Sequence, residues 1–386
     1  MFINKMLETN KNLINVSFDL HQKGLILPDS YVIDVDAFID NATKIYNEAK
    51  KRNIDVYFML KQVGRNPILA KELVKIGYKG AVVVDFKEAQ VMMRHNIPIA
   101  NLGHLVQTPK ALLQSVVDYG CHYYTVFSID KIRDLNECAK KSNKKIKIML
   151  KVVGQNDMIY SGQTAGFRLE VLDEVIPQIK QFENVEIKGI TSFPCFLYND
   201  EKGAICATEN FNTLMKAKEI LKAHDIDVEN VNAPSASSVA AIQAMEGFEV
   251  NSIEPGHGLT GTTPLHAKKD CAENVAVIYV SEISHNFDGL GYCYGGGHYR
   301  RGHVENALVG KTLTESKKVK VLLPTDESID YYFGLDEECN VSDTVVMSFR
   351  FQIFVTRANV CLVYGVQSGK AELRGTYTSL GDEITW

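Results

Sequence analysis

Eight short β-branched runs alternate with longer amphipathic stretches between Asp34 and Pro264, and this alternation constrains the fold more than any other feature. An apolar residue at every third or fourth position marks each longer stretch as a helix with one buried face. Strands that alternate with helices form parallel βαβ units. The predicted strands are residues 55–60, 80–84, 97–102, 123–127, 145–152, 185–192, 227–232 and 249–254.

Eight such units predict an α/β fold, a (β/α)8 TIM barrel over residues 34–264. A doubly wound open sheet is the alternative, but the number and even spacing of the strands favour the barrel. After Pro264 the helical periodicity ends, and Val-, Tyr- and Thr-rich runs are broken by Asp-Gly and Gly-Gly turns. These runs predict a C-terminal, mostly antiparallel β domain over residues 265–386. We expect residues 1–33 to pack against that domain.

The charge and the cysteine content of the chain indicate which binding partners and which cellular compartment to expect. The 386 residues include 42 Lys and Arg and 47 Asp and Glu, a net charge of -5 without a basic block, so nucleic acid is not the expected partner. No uncharged apolar run approaches the roughly 18 residues of a spanning helix, and no signal peptide is recognisable. Eight scattered cysteines without a CxxC pair favour a reducing, cytoplasmic location, and no metal site is predicted.

Lys61 is the first candidate functional residue, because active sites of such barrels lie at the carboxyl ends of the strands. It directly follows the apolar run VYFML. Burial lowers the pKa of a lysine, and a neutral amine is a nucleophile toward carbonyls. The alternative is a lysine that extends from the barrel rim into solvent. Arg65, four residues later, could bind a phosphate or could lie at the surface.

The loops after the seventh and eighth strands, NAPSASS and SIEPGHGLTG, predict an anion site. Barrels of this type commonly bind phosphate there, and glycines let backbone N–H groups approach it. The candidate ligands are Ser235, Ser237, Gly256 and Gly258. In the alternative interpretation Ser235 only caps a helix and the glycines only form turns.

Glu254 closes the eighth strand and could act as a base or hold a protonated ring nitrogen. His104 follows the third strand and could contact a cofactor ring or merely cap the next helix. Lys151 ends the fifth strand, where an ion pair with Asp85 or Glu254 is the structural alternative. Asp85 itself is most simply the N-cap of the helix that follows it.

Residues 289–303, GLGYCYGGGHYRRGH, gather reactive side chains around three consecutive glycines. The candidates for an acid or base are Tyr292, Cys293, Tyr294, His298 and Tyr299. The alternative is an aromatic hairpin with a solvated basic tip.

The order and spacing of FMLKQVGRNPILA, VVDFKEAQVM, NLGHLVQTP and EPGHGLTGTTPLHA resemble one family. The chain is similar over roughly residues 30–380 to the fold type III pyridoxal-phosphate (PLP) enzymes. This is the alanine racemase family, which includes the ornithine-type decarboxylases, and the chain is most similar to its YhfX-like branch. The resemblance implies that Lys61 forms the internal aldimine and that Ser235, Ser237, Gly256 and Gly258 cradle the phosphate. Arg168, in TAGFRLE, is the nearest match to the arginine that reaches the cofactor and substrate region.

The resemblance implies an amino-acid racemase or epimerase that acts at the α-carbon of a small amino acid. Lys61 would be one base, and Cys293, Tyr294 or His298 of a partner subunit would be the second, in a homodimer with shared active sites. Glu254 matches the glutamate of the decarboxylases' EPGR motif, so a decarboxylase or another α-carbon lyase is the alternative. Weaker alternatives are a non-enzymatic PLP carrier and a phosphosugar barrel without PLP.

Overall fold

Ten α-helices and twenty strands follow one another in residues 2–385, the part of the chain that the computed structural model describes. The helices are α1 Ile3–Thr9, α2 Lys11–Gln22, α3 Val35–Lys50, α4 Pro67–Ile76, α5 Phe86–Arg94, α6 Lys110–Tyr119, α7 Ile129–Lys141, α8 Leu172–Ile179, α9 Glu209–Ala223 and α10 Val239–Ala244. The strands are β1 Ser30–Asp34, β2 Asp55–Val56, β3 Ala81–Val82, β4 Ile99–Leu102, β5 Tyr123–Val126, β6 Ile146–Val153, β7 Phe167–Arg168, β8 Val185–Thr191, β9 Phe196–Asn199, β10 Ala204–Ala207, β11 Asn230–Asn232, β12 Ser252–Ile253, β13 Val277–Phe287, β14 Leu290–Tyr294, β15 Asn306–Gly310, β16 Lys317–Leu322, β17 Tyr332–Leu335, β18 Thr344–Met347, β19 Asn359–Tyr364 and β20 Glu372–Tyr377.

The chain divides by its contacts into two units, and the first is the barrel unit, Ile45–Leu60 and Ala70–Gly256. Its parallel strands pair in the order β2-β12-β11-β8-β6-β5-β4-β3. A parallel bridge between Phe58 and Ala81 joins the two ends of this order and closes the barrel. The predicted barrel is therefore confirmed, with one strand in each of the eight predicted runs.

Local capping explains where the barrel helices begin. The carboxylate of Asp85 accepts the backbone N–H of Glu88, and the Glu88 carboxylate accepts the N–H of Val84, so α5 begins at Phe86. Asp85 is thus the N-cap, as its position predicts. α10 begins only at Val239, because Ser238 is its cap, so the alternative role of Ser235 as an N-cap is wrong.

The second unit, the β unit, contains the residues up to Lys44, Lys61–Leu69 and the chain from His257 on. Its strands run β14-β17-β16-β15-β18-β13-β1-β19-β20, and β14 also pairs with β13. Six strands therefore close on themselves, and β1 lies between β13 and β19. All pairings in this sheet except β1 with β19 are antiparallel, which confirms the predicted β domain. Its core includes buried side chains of α1, α2, β1 and β13.

Two elements differ from the sequence prediction. The run DTVVMSFRFQIFV forms a strand only over β18, because its second half turns into a short 3-10 helix at Ile353–Val355. A hairpin of β9 and β10, which the alternation does not predict, follows the sixth barrel strand. No helix within residues 2–385 is long and apolar enough to cross a membrane.

Candidate active site

Glu254 lies directly after β12, at the carboxyl end of the last barrel strand, and its side chain is only 1% exposed. Burial of a carboxylate is costly unless hydrogen bonds or charges compensate it. The amide of Asn101, in β4, donates to Glu254 Oε1 at 3.2 Å. The hydroxyl of Thr125, in β5, donates in turn to Asn101 Oδ1 at 2.6 Å. The carboxylate is therefore held from across the barrel interior.

Sequence reasoning missed Asn101 and Thr125. A signal exists, since Asn101 interrupts the apolar run IPIANL and a buried asparagine in a strand needs hydrogen-bond partners. Its partners come from β5 and from the end of β12, which no local pattern reveals.

His104 joins this group, which we call the barrel group: Glu254, Asn101, Thr125 and His104. Its Nε2 lies 3.9 Å from Glu254 Oε2, and its ring meets the edge of Phe193 with centroids 5.9 Å apart. The helix after His104, α6, has Pro109 as its N-cap residue and no side-chain cap. The alternative in which His104 merely caps that helix is therefore wrong.

The loop after β11 has the features of a phosphate cradle. The hydroxyl of Ser237 is buried and has no hydrogen-bond partner among residues 2–385. Ser235 and Ala236 have φ values of 133° and 46°, which side chains rarely adopt and which cost about 1–3 kcal/mol each. Strained backbone beside an unused buried donor is typical of a loop shaped for a ligand. Gly256, beyond Glu254, is also buried.

Lys61 and Gly258 both belong to the β unit by their contacts. Lys61 is the first residue of a short 3-10 helix. His257, between the two glycines of the predicted anion loop, interacts electrostatically with Lys61 and accepts a hydrogen bond at Nε2 from Arg350 Nε at 3.3 Å. Burial and the charges of Arg350 and Lys61 hold the pKa of His257 well below its usual value. Lys61 and Arg350 thus both act on a neutral imidazole, and Lys61, His257 and Arg350 form a positively charged basic group, which suits an anion.

Arg65 is buried, 2% exposed, and its guanidinium lies 5.2 Å from the ring centre of Phe354. The alternative of a surface arginine is therefore wrong. Arg168, in contrast, is exposed to solvent in β7, and its guanidinium donates a hydrogen bond to the carbonyl of Gly154.

Lys151 is buried at the carboxyl end of β6. The structural alternative, an ion pair with Asp85 or Glu254, is not formed, because no carboxylate of residues 2–385 lies within 4 Å of its amine. The amine instead lies 5.1 Å from the ring centre of Phe127 and contacts the carbonyl of Gln163 at 3.5 Å.

The candidate acids and bases after β13 differ in exposure. Cys293 is fully buried, and burial raises its pKa to about 12. His298 is 9% exposed, burial lowers its pKa, and its ring meets the edge of Phe333. Tyr294 is 38% exposed. Tyr292 stacks on His285 with centroids 4.9 Å apart.

Side chains of β1 and β13 hold the backbone around these residues by hydrogen bonds. The hydroxyls of Tyr279 and Ser281 donate to the carbonyl of Tyr294, and the hydroxyl of Tyr31 donates to that of Gly297. Gly296 has a φ of 114°, and Asp29 occupies the space of a β-carbon there. The alternative, an aromatic hairpin with a basic tip, is wrong about the tip: β13 and β14 form a hairpin, but Asp288 and Gly289 make its turn.

Comparisons with known proteins identify the class of fold. Residues 33–264 match the model of the alanine racemase N-terminal domain, and residues 278–373 match that of the YhfX-like C-terminal domain. The chain therefore belongs to the alanine racemase family, whose fold carries pyridoxal 5'-phosphate.

Within this family the chain is 42% identical to YhfX of Escherichia coli (strain K12), over 100% of both chains. It is 24% identical to alanine racemase 2 of Caldanaerobacter subterraneus subsp. tengcongensis, over 56% of this chain and 55% of that one. These sequences place it in the YhfX-like branch.

Solved structures share the fold at low identity. Alanine racemase of Clostridium difficile 630, in complex with cycloserine, has a TM-score of 0.66 at 17% identity, over 92% of this chain and 99% of that one. D-threonine aldolase of Filomicrobium marinum has a TM-score of 0.66 at 15% identity, over 92% and 94%. Diaminopimelate decarboxylase of M. jannaschii has a TM-score of 0.65 at 17% identity, over 95% and 93%. One fold thus supports several reactions.

The residues present fit PLP. Its phosphate needs hydrogen-bond donors, and the buried Ser237 hydroxyl is an unused donor in a strained loop. Its protonated ring nitrogen needs an acceptor, and Glu254 is a buried carboxylate at the next strand end. Each unit on its own therefore offers groups for the cofactor: donors and a carboxylate in the barrel unit, and a lysine within a basic group in the β unit.

Proposed function

We propose that the chain is a PLP-dependent racemase or epimerase that inverts the α-carbon of a small amino acid. The observation that supports chemistry at the α-carbon is Glu254, a buried carboxylate held by Asn101 at the end of the last barrel strand, and the match to the alanine racemase N-terminal domain favours inversion. A carboxylate there favours a protonated pyridine nitrogen, which suits reactions that build negative charge at the α-carbon.

Each residue has a distinct task in this proposal. The cofactor, when bound, supplies an electron-withdrawing ring that stabilises negative charge at the substrate α-carbon. Glu254 would accept a hydrogen bond from the ring nitrogen, and His104 would border the ring. The phosphate would be held by Ser235, Ser237, Gly256 and Gly258, with Arg65 as a further cation.

Lys61 would bind the aldehyde carbon of the cofactor covalently until the substrate amine replaces it there, and its freed Nζ would then take the α-proton. Inversion needs a second acid on the opposite face of the substrate. Tyr294 of a partner subunit is the best candidate, because its phenol is partly exposed, whereas the Cys293 thiol is buried with a pKa raised to about 12. His298 is less suitable because it packs on Phe333. The assembly proposed is a homodimer with shared sites.

Exchange of the α-proton with solvent tests the reaction directly. The holoprotein is incubated in D2O with L- and D-amino acids singly, and the products are analysed by chiral chromatography and mass spectrometry. We expect both enantiomers, with deuterium at the α-carbon, from at least one amino acid. Failure of the whole panel to exchange would contradict the proposal.

The role of Lys61 is tested by trapping with borohydride. Lys61→Ala should lose the reducible lysine–cofactor bond, while Lys50→Ala, at an exposed lysine of α3, should retain it. If borohydride still traps the cofactor on another lysine of the Lys61→Ala variant, the assignment is wrong.

Mixed subunits test the shared site. Lys61→Ala subunits are exchanged with Tyr294→Phe subunits, and mass spectrometry confirms that mixed dimers form. Sites built across two subunits regain activity, because a mixed dimer holds one intact pair of bases. If mixed dimers form and no activity returns, each site lies within one chain.

Decarboxylation is the second candidate, and Glu254 is again the observation that favours it, because a stronger electron sink suits the loss of carbon dioxide. Release of carbon dioxide and an amine in the same incubations would establish it. The large β unit disfavours a simple PLP carrier. The cysteines of residues 2–385 are free thiols, which suits the cytoplasmic location proposed.

A further inference from the structure

Lys151 is a buried cation that faces the interior of the barrel. Three observations fix its direction. Its neighbour two residues earlier, Met149, contacts the Asn101 amide, and alternate residues of a strand share a face. Its partner in β8, Thr191, donates a hydrogen bond to Asn232 of the neighbouring strand β11, on the same face of the sheet. The Phe127 ring under its amine continues the face of Thr125.

The amine of Lys151 lies closer to the mouth of the barrel, at the carboxyl ends of the strands, than the layer of side chains that holds Glu254. Asn101 contacts both Met149 and Glu254, and Lys151 is two residues closer to the carboxyl end of β6. At about 3.3 Å per residue this is a step of about 7 Å. A substrate held above a cofactor ring at Glu254 occupies that same region of the barrel.

Among residues 2–385, no charged side chain compensates this amine. The groups in contact are the face of Phe127 and the carbonyl of Gln163, and no ion pair with a carboxylate of residues 2–385 forms. Burial alone lowers the pKa of Lys151, to about 8, without a contribution from any charged neighbour. The amine is therefore mostly protonated at pH 7, and a buried cation without a counter-ion attracts an anion.

The phosphate of the cofactor is not that anion. The loops that would hold it follow β11 and β12, two and three strands away from β6 around the barrel. Arg168, the cation that the family resemblance offers for the substrate region, is exposed and bonds the Gly154 carbonyl.

We propose that Lys151 binds the α-carboxylate of the amino-acid substrate. This inference rests on the proposed function, since it assumes an amino acid above the cofactor. The contact orients the substrate by one end, so that the bond to the α-proton is directed away from the plane of the ring. The residue is a substrate-binding group and transfers no proton.

Binding of a carboxylate probe tests this without turnover. Propionate has the carboxylate but lacks the amine that reacts with the cofactor, and propionamide is its uncharged analogue. Isothermal titration of the holoprotein with each is compared for the native chain, Lys151→Met and the control Lys147→Met. Lys147 lies on the same strand but is exposed and paired with Glu229.

We expect Lys151→Met to weaken propionate binding about ten- to hundredfold, as for a lost hydrogen bond to a charged group, and to leave propionamide unchanged. Binding to the native chain should weaken above pH 8 as the amine loses its proton. Lys147→Met should bind propionate as the native chain does. Equal propionate affinity in Lys151→Met, or no propionate binding by the native holoprotein, overturns the inference.

Steady-state kinetics separate this inference from the proposed function. Where an amino acid is racemised, Lys151→Met should raise KM more than it lowers kcat, and Lys151→Arg should recover part of the loss. Propionate binding that depends on Lys151 without any racemisation would refute the proposed function and leave the anion site standing. Racemisation with an unchanged KM in Lys151→Met would refute the anion site alone.

Discussion

Replacement of Lys151 by Met should stabilise the substrate-free protein at pH 7, and the gain should vanish as the pH rises. Burial lowers the pKa of this lysine from 10.5 to about 8. The unfolded chain therefore binds the proton more tightly than the folded one, and the stability of the native protein rises with pH between about 8 and 10.5. Met carries no such cost, so its advantage is greatest below pH 8.

The size of the effect follows from the same shift. A fall in pKa from 10.5 to about 8 corresponds to about 3 kcal/mol, at about 1.4 kcal/mol for each tenfold change in proton affinity. This is an upper limit, because Met also loses the contact of the amine with Phe127. For a unit of about 200 residues, 1 kcal/mol shifts the melting temperature by about 2–4 °C. The variant should therefore melt up to about 10 °C higher at pH 7.

Differential scanning fluorimetry from pH 7 to pH 10.5, at constant ionic strength, provides the measurement. The difference in melting temperature between Lys151→Met and the native chain should be largest at pH 7 and close to zero at pH 10.5. Lys147→Met is the control, because the pKa of Lys147 is raised by Glu229 and its loss should not stabilise the protein. A difference that does not change with pH, or a variant that melts lower at pH 7, would refute the argument from burial.

Asn101→Leu should lower the stability of the barrel unit by about 1–3 kcal/mol, measured by thermal melting, because it removes the donor to Glu254. Glu254→Arg should leave the protein folded and loaded with PLP, as its absorbance will show, but slow α-deuterium exchange on the order of a hundredfold. Cys293 should resist iodoacetamide at pH 8 in the native protein while Cys206 reacts, as peptide mass spectrometry will show, because Cys293 is fully buried with a pKa raised to about 12, whereas Cys206 is partly exposed. Gly296→Ala should lower the melting temperature, since a φ of 114° costs an alanine about 1–3 kcal/mol.

The barrel could be predicted from the sequence because its strands and helices each carry a local period. The strand-end residues followed from the same reasoning, since the carboxyl ends of parallel strands meet at one edge. Glu254 and His104 were found in this way, and the structure brings them within 3.9 Å. Ser237 was also found, although its unused hydroxyl could not be foreseen.

Features that depend on distant partners could not be predicted. An ion pair of Lys151 with Asp85 or Glu254 was the structural alternative, and the sequence could not decide it, because a local pattern gives no information on which groups reach across a barrel. β1 shows no alternation of apolar and polar residues from which a strand could be predicted, because all five of its residues are buried in the middle of a sheet. Cys293 and Tyr294 are adjacent in sequence, and only their pairing in β14 shows which one faces the core.

The position of β1 has a consequence for the order in which the chain folds as it is synthesised. Ser30 pairs with Val280, and Asp34 with Val363. This strand can therefore pair only after residues about 250 and about 330 positions later have been synthesised. The last barrel strand, β12, leaves the ribosome about 100 residues before β19, or roughly 5–20 s earlier at 5–20 residues per second. Apolar side chains of α1 and α2 stay uncovered during that interval. The nascent chain therefore carries an exposed hydrophobic segment until β19 has been synthesised, and this segment is where a chaperone that binds apolar peptides would act first.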